Sequence, residues 1–86
     1  AVHIANYHLM MLERAAASID LIPSSERDIS SVTLLLSEGG VARIKARIQR
    51  FRRELLELAV AESAGTQVVQ VGFQLFPLSL PPDREP

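Results

Sequence analysis

The sequence predicts an α+β domain with its elements in the order α-β-α-β. Three observations carry that reading. Val41, Ile44, Ile48, Phe51, Leu55 and Leu58 recur at spacings of 3, 4, 3, 4 and 3, the stripe of an amphipathic helix. Val69, Val71, Phe73 and Leu75 alternate with Gln70, Gly72 and Gln74, the period of a strand with one apolar face. Val32, Leu34 and Leu36 form a second, shorter alternation.

The first helix is expected over residues 3–21. Ile4, Met11, Ala15 and Ile22 share a stripe, widened by Leu12, Ala16 and Ile19. Ala15, Ala16 and Ala17 are strong helix formers. Pro23 stops the helix, because the residue before a proline is pushed out of the α region. Residues 23–28 then form a polar connection, in which Glu26, Arg27 and Asp28 could close a salt bridge that pins the loop. The first strand is expected over residues 29–36, with Val32, Leu34 and Leu36 on its apolar face and Ser31, Thr33 and Leu35 on the mixed one.

The second helix is the clearest element. Ser37 suits its N-cap and Glu38 its positive end. It is expected over residues 38–63, about 40 Å long at ~1.5 Å per residue, with Gly65 as a C-terminal cap. The second strand follows over residues 66–76 and ends at Pro77. The β-α-β unit is right-handed if its strands are parallel. Residues 1–80 make one domain, and residues 81–86, Pro-rich, a disordered tail.

Composition narrows the function classes. The chain has 86 residues, 48% of them hydrophobic, nine Lys and Arg against ten Asp and Glu, and no Cys. So apolar a chain is not a disordered one. Without Cys there is no disulfide framework and no common zinc module. A formal net charge of −1 argues against a dedicated nucleic-acid reader. No apolar run is long enough to span a membrane, and a cytoplasmic setting is the default expectation.

Two strands are too few for an independent sheet. Apolar strands with open edges invite pairing with another chain. The expected solution is a homodimer whose second copy completes the sheet. Helix pairing through the stripe of residues 41–58 is the rival arrangement. In the plainer reading the stripe covers the chain's own sheet. Core or dimer surface is therefore assigned to Val41, Ile44, Ile48, Phe51, Leu55, Leu58, Val69, Val71, Phe73 and Leu75.

Other features bear on chemistry. His3 and His8 are five apart, off the i,i+3 or i,i+4 spacing of helical metal pairs. His8, beside Met11 and Leu12, reads as a partly buried histidine. Residues 37–40, Ser-Glu-Gly-Gly, form either a capped helix start or an anion cradle without the lysine of a P-loop. Six basic residues lie between Arg43 and Arg53, with Glu54, Glu57 and Glu62 behind them. Arg43, Arg47 and Arg50 share one side, as a solvated face or as a contact for an anion or nucleic acid. No nucleophile elbow is present. The expectation is no enzyme, no metal and no cofactor.

The run Glu26-Arg27-Asp28-Ile29-Ser30-Ser31-Val32-Thr33 resembles a signature of an uncharacterised bacterial family known mainly from predatory and fibre-degrading bacteria. The similarity continues through Ile44-Lys45, Phe51-Arg52-Arg53-Glu54-Leu55 and Gln74-Leu75-Phe76-Pro77-Leu78, and includes the stretch from Tyr7-His8 to Ile19-Asp20. Gly39-Gly40 depart from it, where helix-forming residues are expected. Members of the family resemble transcriptional regulators with an N-terminal helix-turn-helix region, and this chain corresponds to their C-terminal part. The resemblance implies a dimerisation or effector-response domain that meets DNA only through a region upstream of Ala1. It carries over no ligand or catalytic residue. A small-molecule binding module, with a pocket between the first helix and the sheet, and a protein-interaction adaptor with no DNA connection are the alternatives.

Overall fold

A computed structural model describes residues 2–79. The chain divides into two units, Ala1–Leu35 and Leu36–Pro86. The expected tail over residues 81–86 lies outside the described residues.

The first unit is built on α1, Val2–Leu21. Its twenty residues give about 30 Å of helix at ~1.5 Å per residue. The alanine run sustains it, and the Ser18 hydroxyl donates to the Ala15 carbonyl at 2.6 Å. The Ile22 N–H still reaches the Ser18 carbonyl, at 2.9 Å. Pro23 then turns the backbone to φ −57°, ψ 145°, and a single 3-10 turn, Ser24–Glu26, follows. Arg27 leaves that turn in an extended conformation.

The second unit is built on α2, Glu38–Val60. Ser37 caps it as expected: its Oγ accepts from the Gly40 N–H at 3.1 Å, and its carbonyl from the Val41 N–H at 2.9 Å. One of the orphan donors of the first turn is thereby satisfied. Gly39 and Gly40 lie inside this first turn, so the helix starts at Glu38 despite both glycines. At the other end Ala61 caps through its own N–H, which reaches the Glu57 carbonyl. Gly65 has no part in this, and no glycine among the described residues has positive φ. The helix stops three residues short of the expected 63.

The expected α+β class is wrong. Among the described residues there are two α-helices and one 3-10 turn, with no strand and no sheet. Residues 29–36 and 66–76 form no ladder. With them go the β-α-β unit, its handedness, the sheet that a second copy was to complete, and the pocket between helix and sheet. The fold is mainly α. The physical reason lies in what alternation measures: it reports an apolar face, and says nothing of a partner for the backbone N–H and C=O groups. In the second unit only Phe73, Gln74 and Leu75 of residues 66–76 lie beside α2, while Val69 and Val71 are exposed. Phe73 sets its ring edge-on to that of Phe51, with centroids 5.9 Å apart and planes at 86°.

Neither unit holds a closed core. Among the described residues no hydrophobic side chain is fully buried, and Gly40 alone is buried.

Candidate functional site

The second unit carries both candidate surfaces on α2. Its apolar stripe begins where Leu36 folds over the capped first turn. A Cβ placed on Gly40 would meet the Ser37 Oγ at 3.3 Å and the Leu36 side chain at 3.5 Å. That contact accounts for the burial of Gly40. Beyond it Ile44, Ile48 and Leu55 are half-buried, while Val41 and Phe51 are more exposed and Leu58 remains 66% exposed. Of the returning segment, Phe73 is half-buried, and Val69, Val71 and Leu75 are exposed.

The expected stripe therefore exists on α2, and the structure covers only its middle. Phe73, Gln74 and Leu75 lie beside Val41, Lys45, Ile48 and Gln49 and enclose an open groove of about 350 Å³ with them. Val69, Val71 and Leu58 stand outside that contact.

Arg43, Arg47 and Arg50 line a second open groove of about 400 Å³, together with Ile44 and Ala46. The helical period brings the three guanidinium-bearing residues to one side, as their spacing predicts. The Arg43 side chain reaches back along the first turn, and its Nη1 would lie 3.6 Å from a Cβ on Gly39. Residues 37–40 form a capped helix start, and the Gly40 N–H that an anion would need is taken by Ser37.

In the first unit α1 carries a broad apolar face, with Asn6, Glu13, Arg14 and Asp20 on the other side. Ile4, Leu9, Met10, Leu12 and Ile19 are all exposed, and Leu21 is 78% exposed. His8 is exposed rather than partly buried, and packs edge-on against Tyr7 at 5.6 Å. No cluster of metal-ligating side chains occurs among the described residues.

Arg27, expected to join a salt bridge with Glu26 and Asp28, bonds to backbone carbonyls instead. Arg27 donates from Nε to the Ile22 carbonyl at 2.8 Å and from Nη2 to the Ile19 carbonyl at 3.1 Å. It pins the connection, but to the end of α1 and through backbone oxygens. A signal for this was present. α1 has no basic residue in its last turn and meets Pro23 instead of a C-terminal glycine, so its last carbonyls lack donors. Arg27 is the first basic residue downstream. A guanidinium there also complements the negative end of the helix dipole.

No helix among the described residues is long and apolar enough to cross a membrane. No curated protein and no solved structure matches the chain. Residues 1–78, all but the last few, match the family described as "Domain of unknown function (DUF4423)", and the chain belongs to that family.

Proposed function

We propose that the chain is the dimerisation domain of a bacterial transcriptional regulator acting in the cytoplasm. The observation that carries the association half is the missing core. Among the described residues every large apolar side chain is at least partly exposed, in each unit taken by itself. Exposed apolar faces of this kind mark association surfaces, so a second copy is the natural cover. Pairing is through helix faces: the open sides of α1 and the uncovered part of the α2 stripe.

The regulatory half rests on the resemblance of the motifs between Tyr7 and Leu78 to the C-terminal part of helix-turn-helix regulators. A two-fold pair of such domains sets two DNA-reading regions at fixed spacing, as dimeric helix-turn-helix proteins require. In this reading the chain performs no reaction of its own.

Sedimentation velocity of the purified chain tests the association. The expected species is a dimer at micromolar concentration. A stable monomer at high micromolar concentration overturns it. The sequence encoded upstream of Ala1 tests the other half: a helix-turn-helix region there supports it, and its absence there contradicts it.

One observation favours an effector-response variant. The groove between α2 and residues 73–75 has an apolar floor from Val41, Ile48, Phe73 and Leu75. A thermal-shift screen with small apolar acids reads this directly. A rise in melting temperature that Ile48→Ala abolishes supports the variant, and no rise across the screen removes it.

A further inference from the structure

We propose that the Arg43, Arg47 and Arg50 face of α2 binds the phosphodiester backbone of duplex DNA. The three arginines line one groove with Ile44 and Ala46, and no acidic residue takes part in it. For an isolated helix this arrangement is unfavourable. Arg43 and Arg47 stand four apart and Arg47 and Arg50 three apart, so like charges face each other along one side. Neither Arg43 nor Arg47 has an acidic residue three or four positions away in either direction. The nearest compensation is Glu54, which follows Arg50 in the weaker Arg-first order. An anionic partner is what relieves this repulsion.

The kind of anion follows from the layout. From Arg43 to Arg50 the helix rises about 10 Å at ~1.5 Å per residue. Each of the three guanidiniums can meet one phosphate, so the array offers about three contacts. Guanidinium forks match phosphate oxygens in pairs. No aromatic residue lines the groove, so it offers no stacking platform for unpaired bases. Contacts of this kind add affinity and set register without reading sequence. They supplement a sequence reader and are compatible with the chain's net charge of −1, because all six cations between Arg43 and Arg53 precede the first carboxylate of the helix's second half.

The test is fluorescence anisotropy of the full chain with a labelled DNA duplex between 50 and 200 mM salt. Three phosphate contacts give a log–log slope of about −2.7, an affinity loss of about 40-fold over that range. R43Q/R47Q/R50Q is expected to flatten the slope by about that amount. The charge-preserving R43K/R47K/R50K keeps it, which separates loss of contact from loss of fold. R52Q/R53Q, which removes two cations from other sides of the helix, leaves the slope within one unit. Overturning results are no binding at 50 mM salt, a slope that survives R43Q/R47Q/R50Q, a larger fall with R52Q/R53Q, or tighter binding of a poly-glutamate peptide than of the duplex. The slope is counted per copy bound, and the comparison among variants holds for a monomer or a dimer, so this proposal and the dimer stand or fall separately.

Discussion

Replacing Arg27 by glutamine removes both hydrogen bonds that tie the connection to the end of α1. The geometry sets the size of the effect. A hydrogen bond to a charged group is worth about 1.5–3 kcal/mol at a buried site, and an exposed interaction far less. Arg27 is half-buried, so each bond is taken at about 0.5–1 kcal/mol, and the loss at about 1–2 kcal/mol with the helix-dipole contribution included. The effect is local, so a local assay is needed. Amide hydrogen exchange of Ile22, whose N–H bonds to the Ser18 carbonyl at 2.9 Å, reads the last turn directly. R27Q is expected to speed that exchange by about 5–30-fold. The companion variant is E26Q/D28N. If Arg27 acts through carbonyls, neutralising its acidic neighbours changes Ile22 exchange by less than about two-fold, within the range of surface substitutions. Equal acceleration by E26Q/D28N and R27Q would refute the reasoning and restore the salt bridge.

Three other outcomes follow from the same geometry. Ser37→Ala removes the acceptor of the Gly40 N–H and costs about 1 kcal/mol, read as faster exchange confined to the first turn of α2. Gly39→Ala, whose new Cβ would meet only Arg43 at an ordinary 3.6 Å, stabilises the helix by up to about 1 kcal/mol. Gly40→Ala gains less, because its Cβ presses on the capping Oγ at 3.3 Å; the difference shows in paired thermal melts followed by circular dichroism. A double-mutant cycle of Phe51→Ala and Phe73→Ala gives a coupling of about 0.5–1.5 kcal/mol from their edge-on contact, whereas additive losses mean that the two rings do not meet.

The helices were legible in the sequence because their signals are local. Ser37 announced the start of α2, Pro23 the end of α1, and the 3,4 spacing of the stripe needed no knowledge of the rest of the chain. The same holds for the arginine face, which is set by helical period alone. Strands are not local objects. The alternation of Val69, Val71, Phe73 and Leu75 predicted a strand, but no ladder forms, Val69 and Val71 stay exposed, and only Phe73 and Leu75 lie beside a helix. Phe73 over Phe51 is that outcome. Val32, Leu34 and Leu36 repeat the lesson: their side chains alternate, and no ladder forms. Arg27 escaped for a different reason. Between Glu26 and Asp28 its obvious partners are carboxylates, and only the unsatisfied carbonyls of α1 redirect it. Open strand edges, the expected ground for a homodimer, are absent among the described residues. Exposed helix faces now carry the same proposal on different grounds.

In the proposed dimer the chain acquires its core by association. Far-UV circular dichroism on serial dilution, run beside sedimentation equilibrium on the same samples, tests this. Helical signal and dimer fraction are expected to fall together as the protein is diluted, because the apolar faces of α1 and α2 lose their cover. Undiminished helical content with a sharp cooperative melt in a sample that sediments as a monomer throughout would contradict it.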